Sequence, residues 1–368
     1  MSVEANKIHH YPCASCGADL VFEPRDGFLT CPFCGHKEAI PESTDLVEEQ
    51  SYQQHFWIRP DQMEKLADNA LEVQCQSCGA KSIFMPPQVA GRCEFCGVQI
   101  VAQPKSADPI LTPGAVLPFC ITQQQASSSL RQWLSSRWFA PNDLKRFAEP
   151  EAIHGIYLPF WTYDTNTTTD YTGQRGEYYY VTETYYDRDA QGGQVERTRQ
   201  VRHTRWYPAS GTVTGSFDDV LIPATTSLPS NRLAALEPWD FPQLRPYDPA
   251  FLAGFKAQRY QIDLKQGFEL VEQVIAPAIE NAVSNDIGGD EQRIESLSTE
   301  YSDITFKHLL LPVYAGAYRY NAKVFQILVN GRTGEIQGER PYSVWKIALL
   351  VVTILIVIVI LVMVFGNR

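Results

Sequence analysis

The sequence is poor in positive charge, in unpaired cysteine and in the loops that mark common enzymes. Only 31 Lys and Arg stand against 42 Asp and Glu, a net charge of -11, which argues against a chain whose main task is to coat nucleic acid or an anionic surface. No Gly is followed by Lys, so a Walker-type phosphate loop is excluded, and G-x-S-x-G and H-E-x-x-H are absent as well. The histidines at His9, His10, His55, His154, His203 and His308 follow no spacing that suggests a site. A non-enzymatic role is therefore expected. Residues Met1 to His10 are polar and lack the apolar segment of a signal peptide. The expected compartment is reducing and intracellular.

Cysteine is scarce, nine in the whole chain, but eight of the nine fall in four C-x-x-C pairs. The segments Cys13 to Gly35 and Cys75 to Gly97 align without a gap, with 11 of 23 positions identical. The matches include Phe22 with Phe84, Pro24 with Pro86 and Phe33 with Phe95. Two copies of one small module are present. Each has two C-x2-C pairs at the same separation, with Gly17, Gly35, Gly79 or Gly97 after each pair so that the backbone can turn beneath an ion. Four thiolates so arranged are a closed tetrahedral zinc site, with no open position for a catalytic water. Two structural Zn²⁺ are expected, one on Cys13, Cys16, Cys31 and Cys34 and one on Cys75, Cys78, Cys93 and Cys96. His36 is expected to stay outside the first site. Cys120 belongs to neither and is expected to behave as a small apolar residue.

Zinc modules often touch nucleic acid, so their charge decides between partners. Residues 1 to 100 hold seven Lys or Arg and 14 Asp or Glu. Two ions with four thiolates each lower that net of -7 to -11. Such a surface repels phosphate, and protein contact is the better use.

Up to the apolar tail, the rest of the chain falls into five parts. Residues 41–73 form an acidic spacer with a helix expected from Asp61 to Leu71, after Pro60. Thr122 to Phe139 carries apolar marks at Ala126, Leu130, Trp133, Leu134 and Trp138, which predicts an amphipathic helix closed by Pro141. From Ile156 to Ile222 the composition turns to strand, with nine of the 18 tyrosines between Tyr157 and Tyr207. The loop from Asp187 to Gln194 is expected to join two long antiparallel strands. Within them, Arg197, Arg199, Arg202, His203 and Arg205 form a basic run. Cross-strand pairing with Glu177, Glu183 and Asp187 is the favoured reading, and a patch for an anionic ligand or lipid headgroup is the alternative. Helix is expected again from Pro249 through Asn285. Strands should follow from Ile294 to Ile336, with a tight turn at Asn330-Gly331.

Ile347 to Phe365 runs 19 residues without a charge, 16 of them Ile, Leu, Val or Phe. As a helix it spans roughly 28 Å, close to a bilayer's hydrocarbon core of about 30 Å. The insertion scale gives it on the order of -5 to -10 kcal/mol. Trp345 and Lys346 sit where an interfacial aromatic and a cytoplasmic cation belong. The expectation is a single-pass protein of the cytoplasmic membrane with its bulk in the cytoplasm.

The fold class so derived is α+β. It comprises two small four-cysteine zinc ribbons at 11–40 and 74–102, the spacer at 41–73, a mixed antiparallel-sheet and helix domain at 110–341 and a transmembrane helix at 344–365. The CPFCG-type ribbons, GIYLPFWTYD from Gly155 to Asp164, the stretch from Leu311 to Pro341 and the hydrophobic tail together resemble a family of bacterial membrane-anchored double zinc-ribbon proteins. Members are often labelled primosomal replication factor or helicase-like, a label that the missing phosphate loop contradicts here. The resemblance implies association with phage-shock and SPFH-type (flotillin-like) membrane proteins, with a role in bringing a protein partner to the membrane. The expected function is therefore a tail-anchored adaptor, and the alternative is a nucleic-acid-binding accessory factor of replication or transcription.

Overall fold

The computed structural model describes residues 11–41, 47–56, 64–65, 71–74, 81–84, 90–92, 99–101, 109–136, 153–188, 193–258, 260–320, 323–339 and 342–365. The architecture is mixed sheet and helix, dominated by one large, mainly antiparallel sheet, with a cysteine cluster near the N-terminus and one apolar helix near the C-terminus.

The chain begins with a small antiparallel sheet of β1 (Val21–Glu23), β2 (Phe28–Thr30) and β3 (Lys37–Ala39). Next come β4 (Gln50–Ser51) and the short α1 (Tyr52–Phe56). The helix expected from Asp61 to Leu71 gives way to strand wherever that segment is described: β5 is Glu64–Lys65, and Leu71 opens β6 (Leu71–Gln74). β7 (Lys81–Phe84) pairs with β6, β8 (Ala90–Arg92) with β9 (Gln99–Val101), and β10 (Pro109–Ile110) with β5. After β11 (Ala115–Val116), α2 covers Gln123–Ser136, with Ala126 and Leu130 buried as the periodicity predicts. Trp138 and the rest of the expected helix lie outside the described residues, as does Pro141.

β12 (Ile153–Arg188) and β13 (Gln194–Pro223) form a hairpin of extreme length, joined where the sequence predicts. Then follow α3 (Ser230–Ala234), β14 (Arg245–Pro246), β15 (Lys256–Ala257), α4 (Leu264–Ile287), β16 (Glu291–Tyr320), β17 (Lys323–Asn330), β18 (Ile336–Gly338) and α5 (Val344–Phe365). The main sheet runs β13-β12-β16-β11-β14, so β12 is internal and β13 forms an outer edge.

Along β12 the environment changes in three steps. From Ile156 to Tyr163 both faces are buried, Ile156, Leu158 and Phe160 in one core cluster and Tyr157, Trp161 and Tyr163 on the opposite face. From Thr165 to Tyr171 only one face is covered. There Thr165, Thr167, Thr169 and Tyr171 are buried while Asn166, Thr168 and Asp170 face solvent. The cover is α4, whose buried Phe268, Val271, Ile275, Ile279, Val283 and Ile287 recur at three- and four-residue spacing. Asp263 starts this helix with a reciprocal capping box to Gln266. Beyond Gly176, which pairs with the first residue of β16, β12 and β13 continue alone as a two-stranded arm.

The Asn330-Gly331 signal marks a hairpin, but not a two-residue turn. The Asn330 N–H donates to the Glu335 carbonyl at 2.8 Å, and the positive φ of +79° falls on Gly334. The loop is wider because the Asn330 side chain is committed to the core. Its amide nitrogen donates to the Leu236 carbonyl at 2.8 Å, and its oxygen accepts from the Arg332 N–H at 2.8 Å.

Candidate metal centre

Cys13, Cys16, Cys31 and Cys34 come together as their spacing predicts, with all four Sγ atoms within 4.8 Å of one another. Two identical backbone turns achieve this. The Gly17 N–H donates to the Cys13 carbonyl at 2.9 Å and the Gly35 N–H to the Cys31 carbonyl at 3.0 Å. Gly17 and Gly35 have φ of +73° and +74°, a conformation that suits Gly, and each lets the chain fold back under its cysteine pair. Behind the turns, the Cys13 N–H donates to Ala18 and the Cys31 N–H to His36. Cys13–Cys34 and Cys16–Cys31 have Sγ–Sγ separations of 3.5 Å. Four sulfurs at about 2.3 Å from a tetrahedral Zn²⁺ stand about 3.8 Å apart, so the cluster fits that ion after a small expansion.

Electrostatics points the same way. The Cys34 and Phe33 backbone N–H groups hold the Cys31 thiol down at about 6. At Cys34 the His36 backbone favours the thiolate, but the neighbouring thiols and burial outweigh it and push the pKa up to about 12. Four ionised sulfurs this close repel one another, and a dication is the natural remedy. His36 stands aside from the sulfur cluster, with Nε2 3.3 Å from a Glu38 carboxylate oxygen.

The module is seated on the large domain. Leu20, Phe22 and Leu29 share a core with Ala250 and Tyr314. The Phe22 N–H donates to the Ala253 carbonyl at 2.9 Å, and the Phe22 ring meets Phe251 edge-on at 5.5 Å. Phe33, between the second pair of cysteines, is 82 % exposed.

Cys75, Cys78, Cys93 and Cys96 lie outside the described residues. The strands around them follow the first module at the repeat offset. Moved by the step that carries Cys13 onto Cys75, β2 and β3 become β8 and β9, and the register Phe28↔Ala39 becomes Ala90↔Val101. The bridge Pro12↔Asp19 becomes Gln74↔Lys81 in the β6–β7 pair.

The basic run is largely paired across the arm, as the favoured reading holds. Arg199 meets Glu183 at 3.0 Å and Arg197 meets Asp187 at 3.4 Å, while Arg205 lies opposite Glu177. Arg202 stacks on the Tyr178 ring at 4.1 Å. Cys120 is exposed instead of filling the core.

Two features escaped the sequence reading. Glu49, Asp164 and Asp218 bring carboxylates within 4.8 Å of one another at an irregularity in the sheet. Lys307 enters this group, 3.1 Å from Glu49 and 2.8 Å from Asp219. Burial works against its charge, but those hydrogen bonds outweigh it and raise its pKa. The other is His308, buried beneath Trp161 with Nδ1 3.0 Å from the Leu111 carbonyl. No local spacing signals either, since each site assembles residues from distant parts of the chain.

No family model matches the chain, and no solved structure matches it. The chain is similar to the uncharacterized protein YdjG of Bacillus subtilis (strain 168), 24% identical over 343 residues that cover 93% of this chain and 92% of that one.

Proposed function

We propose that this chain is a non-enzymatic membrane adaptor. α5 holds it in a cytoplasmic membrane, two structural Zn²⁺ rigidify its cysteine modules, and the modules with the α+β body recruit a protein partner from the cytoplasm. One observation carries the reading. Trp345–Met363 has a mean hydropathy of 3.2, yet none of it is buried in the protein. Surface helices normally keep one polar face, and a helix apolar all round must be covered by core or by lipid. Lys346 at its start supports a cytoplasmic bulk by the positive-inside bias.

The zinc sites support recruitment because they stabilise small surfaces that have little core of their own. Cys13, Cys16, Cys31 and Cys34 would hold one ion, and Cys75, Cys78, Cys93 and Cys96 the other. A closed four-thiolate shell offers no site for chemistry, and its net charge of -2 favours a protein over a phosphate backbone. The exposed Phe33 ring is the apolar contact that such a surface presents. A partner of the SPFH or phage-shock type fits the family resemblance.

Deleting residues 344–368 tests the proposal. The truncated protein should leave the membrane fraction, keep its zinc and still bind its partner. A truncated protein that stays in the membrane pellet through a high-salt wash refutes the anchor, and one that becomes soluble but captures nothing the full chain captures refutes the adaptor.

A further inference from the structure

The arm beyond Gly176 has the features of a self-association element. Its paired residues, from Glu177↔Arg205 to Arg188↔Gln194, extend roughly 40 Å at about 3.4 Å per residue. Two-stranded ribbons are marginal in water without further cover. This one nevertheless exposes large side chains, Tyr180 at 63 % and Tyr186 at 68 %. Outside α5, half of the large exposed hydrophobics among the described residues lie on it.

The direction of the backbone groups identifies the open side. The Gly176 carbonyl accepts from the Asp290 N–H at 2.8 Å, and the Tyr178 N–H donates to the Asp290 carboxylate at 2.7 Å. Even-numbered residues of β12 therefore turn their backbone groups toward the side that β16 occupies below Gly176. By strand alternation Tyr180, Thr182, Thr184 and Tyr186 do the same above it. Among the described residues no strand pairs with them there.

The outer residues of this edge are symmetric about Thr182. Moving outward, the inner pairs Val181 with Glu183 and Tyr180 with Thr184 are unlike, whereas Tyr179 mirrors Tyr185, Tyr178 mirrors Tyr186 and Glu177 mirrors Asp187. We propose that the β12 edge of the arm pairs antiparallel with the same edge of a second copy about a two-fold axis at Thr182, forming a continuous four-stranded sheet.

In that register Tyr179 faces the partner's Tyr185, and Tyr178, whose N–H is already taken by the Asp290 carboxylate, lies opposite the partner's Tyr186 at the end of the ladder. Each of these pairs occurs twice. Residues that meet have the same parity, so outward backbone groups meet outward backbone groups. Directly opposed aromatic residues stabilise a sheet. The like charges, Glu177 and the partner's Asp187, fall at the ends, and each has its own cation: Arg175 is 2.8 Å from Glu177 and Arg197 is 3.4 Å from Asp187.

The opposite edge is built against the same event. A two-fold pairing of β13 about Val201 would set Arg197 against the partner's Arg205 and Arg199 against the partner's His203, and directly opposed like charges disfavour it. Charge and side-chain pattern thus select one edge of the arm and a second copy of this chain. The inference stands apart from the adaptor reading, since a dimer requires neither zinc nor a third protein.

Full-length protein in detergent, with Cys120→Ser as background, provides the test. A Thr182→Cys substitution places two thiols on the axis, with Cα atoms about 5.5 Å apart, within disulfide range. It should cross-link to a dimer under mild oxidation, whereas Thr198→Cys on β13 should not. Thr182→Lys keeps the ladder to β13 but sets two charges face to face, and it should halve the protein mass measured by light scattering. The proposal is overturned if the unmodified chain is monomeric at tens of micromolar, if Thr198→Cys cross-links in place of Thr182→Cys, or if Thr182→Lys leaves the mass unchanged.

Discussion

Acid should weaken the fold through His308, by an amount that follows from its surroundings. Its ring lies 4.5 Å from Trp161 and 5.4 Å from Tyr260, and Nδ1 is 3.0 Å from the Leu111 carbonyl. Nδ1–H is thus the donor of the neutral ring. Among the described residues Nε2 is buried without a hydrogen-bond partner, so protonation would place a charge and an unanswered donor in the core. Burial therefore lowers the pKa from 6.5 to about 4, against a smaller opposing pull from the Leu111 and Thr112 backbone. The unfolded chain binds this proton more readily, so stability falls as pH drops from about 6.5 toward 4. Between pH 7 and pH 5 the linkage relation gives a loss of about 2 kcal/mol from this one group. For a domain of this size that corresponds to a melting shift of about 4 to 8 °C. His308→Phe keeps a ring and removes the titration, at the cost of the bond to Leu111. Thermal melts of both proteins at pH 7 and pH 5 isolate the histidine, because the cysteines and other acids contribute to both. The variant should lose less stability than the native chain on acidification, by about 2 kcal/mol on the same linkage relation. Equal losses would refute the reasoning.

Three further outcomes are expected. Cys31→Ser should lower the zinc content from two ions per chain to one, read by elemental analysis, because its thiolate is the one that the backbone best prepares for metal. Gly267→Ala should destabilise the protein by about 1 to 3 kcal/mol in thermal or denaturant unfolding, since an added Cβ would overlap the Tyr163 hydroxyl oxygen. Replacing Ile356 and Val359 together with Arg should release the protein from membranes in cell fractionation, as two central charges cost about 5 to 7 kcal/mol on the insertion scale.

Local signals carried much of this fold. The enrichment in Tyr, Thr and Val announced the two long strands, and the loop from Asp187 to Gln194 located their turn. The helix expected from Pro249 through Asn285 forms only from Leu264 to Ile287, and the segment before it holds a 3-10 turn at Pro249–Leu252 and the short β15. The Asp61 to Leu71 helix failed because Pro60 and an acidic stretch are weak evidence, and pairing of Leu71 to Gln74 with Lys81 to Phe84 overrode them. Strand length was not legible either. A two-residue period shows where side chains alternate, whereas the end of β16 at Glu291 decides where a three-stranded sheet becomes a two-stranded arm.

The cysteine cluster and the buried His308 mark the two limits of such reading. The clustering of Cys13, Cys16, Cys31 and Cys34 is encoded locally, because one turn and one Gly bring each C-x2-C pair of sulfurs together. Thus Cys13, Cys16, Cys31 and Cys34 could be named before any fold was known. His308 has no such signature, since Leu111, Trp161 and Tyr260 reach it from distant parts of the chain. The same holds for Lys307, whose carboxylate partners Glu49 and Asp219 come from opposite sides of the sheet's central strands. A charge buried by tertiary contacts becomes legible only when the partners that make it tolerable are in place. Removing Lys307 should therefore cost more than an exposed ion pair does, because it leaves Glu49 and Asp219 without the cation they share, beside the clustered carboxylates of Asp164 and Asp218. Denaturant unfolding of Lys307→Met, set beside Arg199→Met on the exposed arm, makes the comparison, and equal losses in the two variants would refute it.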